Sequence, residues 1–268
     1  MRQQVDQMAT SGSAGGATSL AARTKRAAFR MLPVPAVSVL RKLRHWRDEV
    51  PPLGYVRFGQ MRRVTPLSPN FGWARGLPID RYYIEQFLGR HARDIRGHVL
   101  EVENNAYTRA FGSSRVTRSD VLHARAGNPA ATIVGDLCTG EGIPRGAFDC
   151  MILTQLFSFL YDFRAGLGHA VEALKPGGVM LATFAGIAQI SRDDADQWGD
   201  FWRFTSYSAS RLFAEFFPAS NLSIGTCGNV LAATAFLQGI VVGELRAEEL
   251  DHHDRDYEMI ITVRAVKP

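Results

Sequence analysis

Cysteine is scarce in this 268-residue chain, and the three present, Cys138, Cys150 and Cys227, form no CxxC pair. That odd, scattered set excludes a zinc ribbon and a disulfide framework, and it points to a reducing, cytoplasmic setting. Long apolar runs are also missing. A long stretch without a charge, Pro218 to Gly243, is broken by Asn221, Ser223, Thr226, Asn229 and Gln238, so it reads as a strand followed by a helix rather than a membrane span. No apolar run near the start precedes a small-residue cleavage site, which argues against a signal peptide, whereas the Arg-rich, acid-poor start weakly resembles an organelle transit peptide. Acidic residues are rare at the front of the chain. Residues 1–75 hold 13 Lys and Arg against 3 Asp and Glu, and residues 76–268 hold 18 against 23. The pI of 9.3 therefore describes a basic arm on a mildly acidic body, and no nucleic acid is expected as a partner.

What remains is ordinary globular material, 46% hydrophobic and 21% charged, enough for one large core. Residues 1–33 offer no apolar period and are expected to be a disordered basic segment. Over 34–77 comes a basic amphipathic helix and a connecting stretch. Ala36, Val39, Leu40, Leu43 and Trp46 recur at helical spacing within 35–50, with Arg41, Lys42, Arg44, His45 and Arg47 between them. Such a helix suits peripheral contact with an anionic membrane or a protein, and equally suits its own domain.

From 78 to 268 helical and strand-like pieces alternate, the pattern of an α/β sheet. A helix is expected over Ile79–Asp94. Strands are expected at His98–Glu103, Arg115–Asp120, Thr132–Asp136, Asp149–Thr154, Val179–Phe184, Leu222–Cys227 and Tyr257–Val266. Helices are expected at Arg164–Leu174, Ser208–Phe217 and Val230–Glu244. Seven strands result, and a last strand entering after a long helix is compatible with antiparallel insertion into a mostly parallel sheet.

In such sheets ligands bind beyond the carboxyl ends of the strands. Acids are therefore of interest there: Glu101 and Glu103 at the first strand, Asp120 at the second and Asp136 at the third. A carboxylate after the second strand can accept both hydroxyls of a ribose, and one after the third can accept from an adenine amine. Each could instead simply turn the chain.

Phe148-Asp149-Cys150-Met151-Ile152-Leu153, an intervening helix, and then Leu174-Lys175-Pro176-Gly177-Gly178-Val179 resemble the central block of class I S-adenosylmethionine-dependent methyltransferases. The resemblance runs over roughly Gly97 to Phe217. It implies a three-layer Rossmann-like methyltransferase fold with a mostly parallel seven-stranded sheet and an antiparallel last strand. It also implies S-adenosylmethionine as cofactor, Asp120 as the ribose acid, Asp136 and Leu137 beside adenine, and Gln155 in the pocket. Trp198 to Thr205 resembles an insertion found after strand five in members associated with glycan metabolism. Trp198 and Trp202 could form a sugar-stacking wall and Arg203 could hold an anionic acceptor, and the expected substrate is a small-molecule or glycan acceptor methylated at oxygen. Arg203 could equally pair with Asp200, and the aromatics could be a clamp.

The chain departs from the family after strand one. Where a glycine-rich loop should approach the cofactor it reads Glu103-Asn104-Asn105-Ala106-Tyr107, with no glycine until Gly112. Asparagine tolerates left-handed backbone, so Asn104 and Asn105 could preserve the turn. Glu103 could pair with the cofactor or block it, which leaves open a catalytically inactive, methyltransferase-like scaffold. A nicotinamide dehydrogenase would need a GxGxxG turn that is missing here. His123 and His169 are weak candidates for a general base, and Asp251-His252-His253-Asp254 is a weak candidate for metal binding, so no catalytic residue and no metal are assigned.

Overall fold

The computed structural model describes residues 51–268, so the expected disordered start and the basic helix over 35–50 lie outside the described residues. Two compact units divide the chain at Arg62/Arg63. Of the first, the described part contains a single 3-10 turn, Gly59–Met61. The second, Arg63–Pro268, carries the sheet.

Seven strands form that sheet: β1 (Gly97–Val102), β2 (Val116–His123), β3 (Ile133–Val134), β4 (Phe148–Thr154), β5 (Leu174–Ala185), β6 (Leu222–Cys227) and β7 (Ile260–Val266). Their order is β3-β2-β1-β4-β5-β7-β6. β7 runs antiparallel to both its neighbours, and the other pairings are parallel, as expected from the sequence. Among the described residues six α-helices accompany the strands: α1 (Ile79–Arg90), α2 (Phe163–Ala173), α3 (Arg192–Trp198), α4 (Ser206–Phe213), α5 (Val230–Leu237) and α6 (Ala247–Asp251). None among the described residues is long and apolar enough to cross a membrane.

The three layers follow from the two-residue period of a strand. Leu100, Met151, Leu153, Met180, Ala182 and Phe184 face one way, onto α2 and α4 through Leu167, Ala170, Leu212 and Phe213. Val99, Cys150, Ile152, Val179 and Leu181 face the other, onto α1 and α5 through Ile84, Phe87, Leu88 and Phe236. Helix starts are fixed by side chains that satisfy free backbone donors. Asp162 accepts from Ala165 N at 3.0 Å, Asn229 accepts from Ala232 N at 2.9 Å, and Thr205 and Ser208 cap α4 reciprocally.

Several expected bounds need correction: the first helix ends at Arg90 and not Asp94, the third strand is only Ile133–Val134, β5 begins at Leu174 and not Val179, the helix expected over Ser208–Phe217 is Ser206–Phe213, and the last strand begins at Ile260 and not Tyr257. The second strand ends at His123 and not at Asp120, because Val121 and Leu122 continue its buried pattern. The helix expected over Val230–Glu244 stops at Leu237, since Gly239 takes a left-handed turn (φ 69°) so close to the Ser68 carbonyl that a Cβ would clash with it. That contact, with Ser68 N donating to Gln238 O and Phe71 stacked on Phe236, fastens the segment before α1 to α5.

Candidate functional site

The chain leaves β1 for β2 and β3 on one side and returns to β4 on the other, so the crevice of the sheet opens at the carboxyl ends of β1 and β4. A left-handed residue stands at each lip. Glu103 follows β1 with φ 71°, and Gln155 follows β4 with φ 57°. Glu103 holds the conformation a glycine would ordinarily supply, so the turn survives through Glu103 itself and not through the asparagines. Asn104 instead makes an Asx turn, its Oδ1 accepting from Ala106 N at 2.9 Å, and Asn128 Nδ2 donates to the Glu103 carbonyl at 2.7 Å. Glu103 is exposed and stands in the wall of the depression beside β1. Glu103→Gly is expected to stabilise the fold by about 1 kcal/mol by removing left-handed strain; a melting curve shifted downward would contradict that reading.

Glu101 is not at the rim. Its buried carboxylate accepts from Tyr107 N (3.1 Å), Thr108 N (2.7 Å) and Thr108 Oγ1 (2.7 Å), holding the helical turn that follows. Burial raises its pKa, and the Thr108 bonds oppose that rise.

Asp120 sits inside β2, opposite Leu100, and is buried. Its carboxylate is occupied by His98 Nε2 at 2.6 Å, Thr132 Oγ1 at 2.8 Å and Arg118 Nη2 at 3.0 Å. The sequence placed it as a ribose acid at a strand end; the structure makes it part of an internal network tying β1, β2 and the approach to β3. Burial works to raise its pKa, but the His98 and Thr132 bonds and Arg118 outweigh that and hold it low. A carboxyl lowered by folding contributes stability above its unfolded value of about 4 that is lost as pH falls through the folded value. Asp120→Asn should therefore flatten the acid limb of the stability curve below about pH 4; an unchanged acid limb would contradict the network.

Asp136 lies two residues past β3. Its Oδ1 accepts from Cys138 N at 2.7 Å, and the side chain is half-buried. Leu137 is buried in the core, and its carbonyl meets His169 Nδ1 at 2.7 Å, which makes His169 a packing residue. At the end of β2, His123 packs edge-on against Trp198 (5.3 Å), whose ring lies 4.4 Å beneath the Arg125 guanidinium. Glu103, Asn104, His123, Arg125 and Trp198 thus border one depression on the carboxyl side of β1 and β2.

A second cavity, about 270 Å³, lies past the ends of β4 and β5, with Gln155, Ser158, Asp80, Arg81 and Arg203 in its wall. Gln155 N donates to the Thr183 carbonyl at 2.9 Å. Arg203 forks onto Asp200 and also donates to the carbonyls of Ala188, Gln189 and Trp202, so of its two expected roles the ion pair is the one built. Trp202 turns outward, donating to the Tyr161 carbonyl at 3.2 Å, while Phe204 enters the core against Phe163 and Phe184. Asp80 and Arg81 carried no signal of their own. An acid in the first turn of a helix reads as helix capping, and their convergence on the cavity depends on contacts with Tyr107 and Trp73 that spacing does not reveal. His253 is engaged by Thr226 Oγ1 and Asp251 by Tyr82 and Gln86, and no cluster of three metal-binding side chains occurs among the described residues.

No protein-family model and no curated protein matches this chain. Solved structures similar in outline include N-methyltransferase NodS from Bradyrhizobium japonicum WM9 in complex with S-adenosyl-L-homocysteine. It shows 14% identity over 76% of this chain and 95% of that one, at TM-score 0.46. A SAM dependent methyltransferase from Archaeoglobus fulgidus shows 9% identity over 70% and 94%, at TM-score 0.45. The [4+2]-cyclase SpnF shows 13% identity over 77% and 87%, at TM-score 0.45. Likeness this loose leaves chemistry to be read from the chain's own side chains. By its strand order and antiparallel β7, the chain has the three-layer Rossmann-like architecture expected from its sequence.

Proposed function

We propose that the protein is an S-adenosylmethionine-dependent methyltransferase acting on a small polar acceptor, glycans included, at oxygen. The observation that carries this reading is the switch-point crevice, with left-handed Glu103 and Gln155 at its two lips and a depression on either side. The donor set fits a nucleoside. Asp136 keeps one carboxylate oxygen free to accept from an adenine amine. Exposed Glu103 can accept from ribose hydroxyls in place of Asp120, whose carboxylate is already engaged. Trp198 offers a flat ring in the same depression as Glu103. S-adenosylmethionine, when bound, supplies a methyl group already activated on a sulfonium, so the work of the protein is alignment and exclusion of water. Tyr161, Phe201 and Trp202 form an exposed aromatic edge joined to the cavity through the Ser158 carbonyl, which accepts from Phe201 N and Trp202 N; such an edge suits stacking against a sugar ring.

One observation favours a second reading. With Asp120 withdrawn, β2 ends in His123, and no acid stands at that strand end. A scaffold that has lost the cofactor would tolerate this. Incubation with methyl-labelled S-adenosylmethionine and a panel of hydroxylated glycans and small alcohols separates the two. Label in an acceptor with release of S-adenosylhomocysteine supports the enzyme, and no turnover with any acceptor, together with no cofactor binding, supports the scaffold.

A further inference from the structure

Four buried side-chain atoms among the described residues lack a hydrogen-bond partner, and three of them, Asp80 Oδ1, Arg81 Nε and Ser158 Oγ, belong to residues lining the single cavity past β4 and β5. Unmet polar atoms are costly to bury, so their convergence marks a place prepared for a ligand. Asp80 is only 9% exposed, in the first turn of the twelve-residue α1. Arg81 follows it and is pinned from two sides: Nη1 donates to Tyr107 Oη at 3.1 Å, and its guanidinium lies 5.7 Å from the Trp73 ring. Held so, Arg81 does not close onto its neighbour. The approach of Nε to Asp80 Oδ2 is 3.7 Å, an ion pair too long for a hydrogen bond.

A lone anion entering here would meet the Asp80 carboxylate, and a lone cation would meet Arg81. The other charged wall residues do not change the balance toward an anion. Arg203 is committed to Asp200, and Asp193 and Asp194 are engaged by Asn70 and Ser191. An acid and an arginine side by side, each with one unmet atom, are complementary to a group that carries a positive donor and a negative acceptor on neighbouring atoms. At about 270 Å³ the cavity falls just under the ~300–1,000 Å³ of pockets for whole small molecules, which suits the end of a ligand.

We propose that this cavity is a receptor for a zwitterionic α-amino carboxylate, its ammonium on Asp80 and its carboxylate on Arg81, with Ser158 completing the set. Two sources present that chemistry: the amino-acid end of S-adenosylmethionine, which rests on the function proposed above, and an acceptor bearing an amino-acid group, for which the cavity alone suffices. In the first case α1 supplies the grip on the methionine end that a chain without a glycine-rich loop would otherwise lack.

Calorimetric titration of the full chain, its Asp80→Asn variant and its Arg81→Gln variant with S-adenosylhomocysteine, 5′-methylthioadenosine and free methionine tests this. The second probe is the same nucleoside thioether without the amino-acid end. For the cofactor source, the wild type binds S-adenosylhomocysteine about ten- to a hundredfold more tightly than methylthioadenosine, and each substitution removes most of that preference. Affinity for methylthioadenosine stays unchanged throughout, which also shows that the variants are folded. For the acceptor source, both nucleosides bind alike, while methionine binds the nucleoside-loaded wild type and neither variant. A preference that survives both substitutions, or a wild type that takes up no zwitterion in either form, overturns the proposal. If neither nucleoside binds, the cofactor reading fails separately, and methionine binding to the unloaded protein, lost in both variants, decides for or against the cavity.

Discussion

Replacing Glu101 with alanine is expected to destabilise the fold by about 2–4 kcal/mol, because it strands two backbone N–H groups and a hydroxyl that now end on one buried carboxylate. For a domain of this size that is a fall in melting temperature of about 5–15 °C. The carboxylate spans β1 and the turn at Tyr107 and Thr108, so its loss frees the segment that shapes the crevice. Glutamine keeps one acceptor oxygen and should lose about half as much. The pH dependence has the opposite sign from that of Asp120. Since burial raises the Glu101 pKa, its share of stability is greatest at acid pH and falls as pH rises from the unfolded toward the folded value. Thermal melts of Glu101→Ala within 2 °C of wild type, roughly the error of such a comparison, would remove Glu101 from this role.

Arg203→Ala is the second large effect. Asp200 has a side chain only 2% exposed, and Arg203 is its bidentate partner, holding its carboxyl below the usual range against the pull of burial. The same guanidinium gathers three carbonyls from the segment between β5 and α4. Removing it leaves a desolvated carboxylate and three free acceptors, at a cost of about 2–4 kcal/mol, moderated because the arginine is partly exposed. The wall of the cavity loosens with it. Limited proteolysis should then cut between residues 186 and 205 in the variant and spare that stretch in the wild type, and equal resistance would contradict the clasp.

The fold was legible in the sequence where burial wrote a clear period. Leu222–Cys227 matches β6 residue for residue, and the apolar run before Val266 correctly announced the last strand. Strand β2 was misjudged by its charges. Asp120 resembles a rim acid by residue type, yet it pairs with His98 on β1, a contact across strands that no local pattern encodes. α5 was read too long because Ile240, Val241 and Val242 continue an apolar pattern through a turn fixed by the distant Ser68 carbonyl. At the site, the missing glycines drew attention to the turn at Glu103, and Gln155 to the turn after β4, both of which take positive φ. The ion pair at Asp80 and Arg81 stayed hidden, since its meaning lies in what it fails to bond, and that is visible only once Tyr107 and the cavity are in place.

Titration of the wild-type protein with S-adenosylhomocysteine, with NADH as the control, bears most directly on whether this crevice holds an adenosyl cofactor. Saturable heat in the micromolar range with the first and none with the second is the expected result. No heat with S-adenosylhomocysteine, from protein that melts cooperatively, would leave the architecture without its proposed chemistry.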